Sequence, residues 1–176
     1  MARALIFPGQ GSQAVGMGKD LSAAFPDARF VFEEVDDALE QKLSNIMFEG
    51  PEDQLTLTEN AQPALMAMSV ALIRVLQKQA GFQVATGSSF VAGHSLGEYS
   101  ALTVSNSVSF EKGLELVKVR SESMEKAGHL QNGTMAAIVG LEEKEVQLIC
   151  SSYKGKGLVV IANYNSPKQI VVSGTS

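Results

Sequence analysis

Short apolar runs alternate along this chain with helix-spaced apolar stripes, the pattern of strands interleaved with helices. Ala4 to Phe7 is such a run, cut off by Pro8 and the loop Gly9-Gln10-Gly11-Ser12-Gln13, which predicts a short buried strand and a turn. Phe30, Phe32, Val35 and Leu39, with Glu33, Glu34, Asp36 and Asp37 between them, suit a helix with one wet face. From Asn60 to Ala80 the apolar positions lie nearly all round a helical wheel. Pro63 sits near the start and Gly81 just past the end, so a helix buried in the middle of a domain is expected. Ser88 to Ala92 reads as a strand, Gly93-His94-Ser95-Leu96-Gly97 as a sharp turn, and Glu98 to Leu102 as the start of a helix. Phe110 to Ala127 carries Leu114, Leu116, Val117 and Val119 on one helical face, and Gly128 supplies a stop. Thr134 to Val139 predicts a strand and Glu142 to Tyr153 a helix. Leu158 to Ile161 and Ile170 to Val172 predict two further strands joined through Asn165-Ser166-Pro167. The loop from Gly128 to Gly133 is the best boundary between a larger and a smaller subdomain.

Composition restricts the classes open to this alternating pattern. The 176 residues are 45% hydrophobic, enough for a buried core, and 14 basic against 19 acidic residues give a net charge of −5. That balance lacks the basic footprint of a nucleic-acid binder. The longest strongly apolar stretch, Pro63 to Leu76, contains Arg74 and is shorter than the roughly 20 residues of a bilayer span, so no membrane partner is expected. Cys150 has no second cysteine to pair with, and Met1 leads into Ala2-Arg3-Ala4-Leu5-Ile6-Phe7 without a signal-like apolar region; a reducing, cytoplasmic location is expected. Two histidines and one cysteine are too few for a zinc site of the usual ligands, so metal-free chemistry is expected.

The chemistry concentrates in Gly93-x-Ser95-x-Gly97. This matches a nucleophile elbow, in which a serine on a tight strand-to-helix turn exposes its oxygen, and the helix start offers backbone N–H groups, notably that of Leu96, to an oxyanion. Spacing alone leaves a structural Gly-Ser-Gly turn equally open. A serine needs a positioned base, and the two histidines are poor candidates. The side chain of His94 should diverge from that of its neighbour Ser95, which favours a structural role, and His129 lies in a polar segment that reads as an exposed loop. Gly9-x-Gly11-x-x-Ala14 fits a variant dinucleotide fingerprint, but Pro8 intervenes and the acidic residues about 20 positions on, Glu33 and Glu34, fall in a helical pattern. Gly18-Lys19 lacks the upstream glycine of a phosphate loop. Arg120 follows Val117 by three and Leu116 by four, on or beside the apolar stripe of its helix. Periodicity favours a snorkelling side chain or an internal ion pair there; the alternative is a clamp on a substrate carboxylate.

With these residues in view, the sequence resembles the bacterial malonyl-CoA:acyl-carrier-protein transacylases. Four blocks carry the resemblance in the family's order and spacing: Phe7-Pro8-Gly9-Gln10-Gly11-Ser12-Gln13, Ala61-Gln62-Pro63-Ala64-Leu65, Gly93-His94-Ser95-Leu96-Gly97-Glu98-Tyr99-Ser100-Ala101-Leu102, and Asn163-Tyr164-Asn165-Ser166-Pro167. The resemblance implies a ping-pong transfer in fatty acid synthesis, in which Ser95 takes a malonyl group from malonyl-CoA and passes it to the phosphopantetheine thiol of acyl carrier protein. It implies an oxyanion hole from the N–H groups of Gln10 and Leu96, a hold by Arg120 on the free carboxylate of malonyl, and no cofactor. The implied fold is α/β: a large α/β-hydrolase-like core with a parallel sheet, of which residues 1–130 are the N-terminal part, and an incomplete ferredoxin-like small subdomain beginning in residues 131–176. The family's catalytic histidine falls in a later block, beyond Ser176, so the chain is expected to be a fragment with little activity alone. Two other readings stay open: a serine esterase or thioesterase of the α/β-hydrolase type, and a non-catalytic piece that associates with its C-terminal remainder.

Overall fold

The computed structural model describes residues 2–130 and 132–175; Met1, Gln131 and Ser176 lie outside the described residues. Pro8 ends β1 (Ala4–Phe7) where the apolar run stops. There follow α1 (Lys19–Ala24), α2 (Pro26–Leu39), α3 (Leu43–Glu49), α4 (Glu52–Thr56), the long α5 (Thr58–Ala80), α6 (Val84–Gly87), β2 (Phe90–Gly93), α7 (Gly97–Val104) and α8 (Phe110–Leu130). The chain then closes with β3 (Gly133–Val139), α9 (Glu143–Ser152), β4 (Val159–Ser166) and β5 (Gln169–Thr175). It is an α/β protein with both parallel and antiparallel pairing, and it divides into two compact units, Met1–Glu125 and Lys126–Ser176. This break falls in the last turns of α8, whereas the expected boundary at 130/131 touches Gln131, outside the described residues.

In the first unit β1 and β2 run parallel, with Ala4 opposite Phe90 and Phe7 opposite Gly93. A parallel pair must be flanked by helices to bury its faces, and α7 packs on both strands. The core runs through Phe7, Phe32, Met66, Leu96, Leu114 and Val117, all buried. Helix α5 crosses this core, buried from Asn60 to Ala67 and again at Ser69–Ala71, as its all-round apolar wheel predicts. Its Arg74 pairs with Glu34 of α2 at 2.7 Å, so the acidic run of α2 is tied to its neighbour as well as solvated. Glu33 and Glu34 both lie within α2, and the Gly9 loop leads into a turn and short α1 instead of opening a helix, which removes the dinucleotide reading.

In the second unit β5 lies between β3 and β4 and runs antiparallel to both. Glu142 caps α9 in a reciprocal box with Glu145, whose carboxylate accepts the Glu142 N–H at 2.9 Å.

Two boundaries differ from the sequence expectation in ways that matter. Helix α8 continues through Gly128 to Leu130, because one glycine costs only about 1 kcal/mol in a helix and does not by itself end one. His129 therefore sits in the last helical turn, not in a loop. Strand β4 extends to Ser166, so Asn165 and Ser166 belong to a ladder closed by a turn at Pro167-Lys168. No helix among the described residues is long and apolar enough to cross a membrane.

Candidate active site

The turn from β2 into α7 leaves no room for side chains at its glycines. A Cβ on Gly93 would fall inside the carbonyl group of Gly97, and one on Gly97 would collide with the Phe7 carbonyl of β1. The turn is pinned by the His94 N–H on the Phe7 carbonyl at 3.0 Å and closed by the Gly97 N–H on the His94 carbonyl at 2.9 Å. Leu96 is fully buried and anchors the turn in the core. Between these constraints Ser95 is forced to φ 54°, the left-handed region, at a cost of order 1–2 kcal/mol for a residue with a Cβ. Strain of this kind persists only where the surroundings over-determine it. Here it leaves Ser95 exposed at the head of α7.

Arg120 reaches Ser95 from α8. Val117 and Ser121 on the same helix are buried, so Arg120 leaves the edge of the buried stripe half-buried. Its Nη2 donates to Ser95 Oγ at 2.8 Å, its Nη1 donates to Gln62 Oε1 of α5, and its Cζ lies 5.9 Å from the centroid of the Tyr99 ring. Among the described residues it makes no ion pair. Neither of the side-chain fates that periodicity favoured is observed, since the guanidinium is held by neutral oxygens next to a serine.

The N-terminal loop closes on the same turn. Gly9 packs against His94: a Cβ there would meet His94 Nδ1 at 2.5 Å and the His94 carbonyl at 2.8 Å. The next residue, Gln10, is exposed and donates from Nε2 to Thr58 Oγ1 at 3.2 Å, while Gln13 Oε1 accepts the Gly11 N–H at 2.8 Å. The backbone N–H groups of Gln10 and Leu96 have no hydrogen-bond partner among the described residues. No histidine among them is hydrogen-bonded to Ser95 Oγ, whose bond comes from Arg120. Sequence reasoning brought out Ser95, Leu96, Gln10 and Arg120 but gave no role to Gln62, Tyr99 or Met124. The available signal was Gln62 itself, a long amide in an otherwise apolar stretch of α5.

On the same two helices the exposed Glu59 of α5 interacts with Glu122 and Glu125 of α8. Burial, then the charge of Glu125 and a hydrogen bond with it, then the charge of Glu122, push the Glu59 carboxyl above the ordinary carboxylate range. An acid whose folded pKa is raised holds its proton longer in the folded state. Its contribution to stability is therefore complete below the unfolded pKa and is lost as pH rises through the raised value. Glu59→Gln keeps a hydrogen-bond donor toward Glu125 and removes one of the repelling charges. It is expected to raise the melting temperature modestly near neutral pH, with the gain shrinking toward pH ~4, as read from thermal melts across that range.

Comparison with known proteins places the same residues in a wider setting. Residues 4–176 match the family described as acyl transferase domain. The chain is 45% identical over 174 residues to a malonyl CoA-acyl carrier protein transacylase of Bacillus subtilis, covering 98% of this chain and 53% of that protein. It is 40% identical over 171 residues to its counterpart in Escherichia coli K12, covering 97% and 54%. A solved acyl-carrier-protein-S-malonyltransferase from Bartonella henselae superposes with a TM-score of 0.94 at 54% identity, covering 99% of this chain and 55% of that one. A malonyl-transacylase solved in complex with a type II polyketide acyl-carrier protein superposes with a TM-score of 0.90 at 39% identity, covering 100% and 56%. The chain spans about half the length of the curated relatives it matches.

Proposed function

This chain belongs to the acyl transferase domain family, and from that membership we propose that it carries the nucleophile and the acyl-selecting cation of a malonyl transferase acting between coenzyme A and acyl carrier protein in fatty acid biosynthesis. The observation that carries the proposal is the 2.8 Å hydrogen bond from Arg120 Nη2 to Ser95 Oγ, made by a guanidinium without an acidic partner among the described residues. A hydroxyl that accepts from a cation keeps its own proton free to leave toward a base, and the cation favours the alkoxide that results.

In the first half-reaction Ser95 Oγ attacks the thioester carbonyl of malonyl-CoA, and its proton passes by way of a base to the departing CoA sulfur. The negative charge on the carbonyl oxygen is met by the N–H groups of Gln10 and Leu96. The product is a malonyl ester of Ser95 and free CoA thiol. In the second half-reaction the phosphopantetheine thiol of the carrier attacks that ester, gives up its proton and regenerates the serine hydroxyl. Arg120 holds the free carboxylate of malonyl through both, its planar fork matching two carboxylate oxygens. No cofactor enters this scheme, and malonyl-CoA is a substrate.

We place the family's base outside the described residues, because among them the hydrogen bond on Ser95 Oγ comes from Arg120 and not from a histidine. The finer architecture follows the same reading. The parallel β1–β2 pair with its flanking helices supports an α/β-hydrolase-like core over residues 1–130. The split arrangement of β3 and β4, joined through α9 on either side of β5, supports the start of a ferredoxin-like subdomain over 131–176.

The test is to follow labelled malonyl from malonyl-CoA in the presence of acyl carrier protein, using this chain and a version extended to the relatives' full length. Malonyl should appear on the carrier thiol, with the extended protein far faster. Release of free malonate as the main product would reassign the site to a serine thioesterase, and rapid turnover by the 176-residue chain alone would overturn the placement of the base.

A further inference from the structure

Gln62 belongs to the Ala61-Gln62-Pro63-Ala64-Leu65 block, to which the sequence assigned no chemical role, yet it is fully buried and touches the candidate site directly. We propose that Gln62 is a positioning residue that holds Arg120 beside Ser95 while leaving its charge uncompensated, and thereby sets a preference for acyl groups that carry a carboxylate. This deepens, and rests on, the reading of Ser95 as nucleophile and Arg120 as clamp.

Both ends of the Gln62 amide are engaged. Oε1 accepts from Arg120 Nη1, and Nε2 donates to Met124 Sδ at 3.4 Å. A thioether is a weak acceptor and no donor, so a flipped amide would set NH2 against guanidinium N–H groups and carbonyl oxygen against sulfur. The observed orientation is therefore the one the neighbours select. Met124 follows Arg120 by one helical turn on α8, so a single amide from α5 locks two successive side chains of the facing helix. With Nη1 fixed on Gln62 and the Tyr99 ring 5.9 Å away, Nη2 is left aimed at Ser95 Oγ.

The neutrality of this acceptor matters as much as its place. A glutamate of the same length would hold the guanidinium equally well, but would pair its charge and compete with an incoming carboxylate. None of the acidic groups on the two helices, Glu59, Glu111, Glu115, Glu122 and Glu125, is ion-paired with Arg120 among the described residues. The cation is thus oriented without being neutralised, which is what recognition of a substrate anion requires.

The experiment compares kcat and KM for malonyl-CoA and acetyl-CoA in the full-length protein and its Gln62→Glu, Gln62→Met and Arg120→Ala variants. Gln62→Glu preserves shape and should lower the malonyl-to-acetyl ratio of kcat/KM by about 10- to 100-fold, chiefly through the malonyl KM, with a smaller loss in acetyl transfer. Gln62→Met, which removes the acceptor but keeps the volume, should move the ratio in the same direction. An unchanged ratio in Gln62→Glu, or equal losses for both acyl groups, overturns the proposal, because a packing role would affect both substrates alike. If Arg120→Ala lowers the ratio and Gln62→Glu does not, the clamp stands and only the role of Gln62 falls. If the unsubstituted protein shows no malonyl preference, the clamp falls and this proposal with it.

Discussion

Ser95→Ala is expected to abolish the covalent malonyl adduct and to lower malonyl transfer by about 10³- to 10⁶-fold, the range seen when a serine nucleophile is removed from an otherwise intact site. Alanine deletes one oxygen and leaves the turn otherwise unchanged. The left-handed φ of 54° at this position is imposed by the Gly93–Gly97 approach and the Phe7 carbonyl, not by the hydroxyl. The protein should therefore fold and melt much as before, losing at most the hydrogen bond from Arg120, about 1 kcal/mol or less at an exposed oxygen. That separation of effects is what makes the variant informative. Intact mass after mixing with malonyl-CoA should show a malonyl increment on the unsubstituted protein and none on Ser95→Ala. An increment that survives the substitution would mean that another group carries the acyl chain, and the elbow would then be only a tight turn. A loss of folding together with activity would mean that the Arg120 bond is structural, and the case for Ser95 as nucleophile would lose its main support.

What the sequence disclosed, and what it withheld, follows from the range of the interactions involved. β1, α5 and the β2–turn–α7 unit were legible because each is decided within a few residues: a proline stop, an all-round apolar wheel, glycines where backbone meets backbone. The short helices α1, α3, α4 and α6 span four to seven residues each, too short for a 3.6-residue period to register. The end of α8 was misplaced because Gly128 looks like a stop in isolation and is overridden in context. The hairpin joining β4 and β5 was misplaced because Asn165 and Ser166, taken as turn residues, belong to β4, whose partner strand supplies the pairing. At the site, Ser95 and Leu96 were readable from spacing and Arg120 only as an oddity on an apolar stripe. The amide that orients Arg120 lies 58 residues away on another helix, and its sulfur partner 62 residues away. Nothing in local pattern encodes such a pairing.

Arg120→Ala is expected to cost malonyl transfer about 2–4 kcal/mol, roughly 30- to 1,000-fold in kcat/KM, while acetyl transfer changes little. The sign follows from what the guanidinium meets in each case. With malonyl bound, a charge-assisted pair to the free carboxylate replaces the water that each ion leaves. With acetyl bound, the same guanidinium faces a methyl group, and its donors toward the acyl group stay unpaired in a half-buried position. Alanine removes the favourable contact from the first and the penalty from the second, so discrimination should collapse or invert. Because Nη2 also donates to Ser95 Oγ, a smaller loss common to both substrates is expected on top of the selective one. Arg120→Lys separates the two: it keeps the charge but cannot reach Gln62, Ser95 and a carboxylate at once with a planar fork, and should recover only part of the malonyl preference. Competition kinetics with mixed malonyl-CoA and acetyl-CoA reads the ratio directly. An unchanged ratio in Arg120→Ala would remove the carboxylate clamp and leave Arg120 as a residue that merely braces the serine.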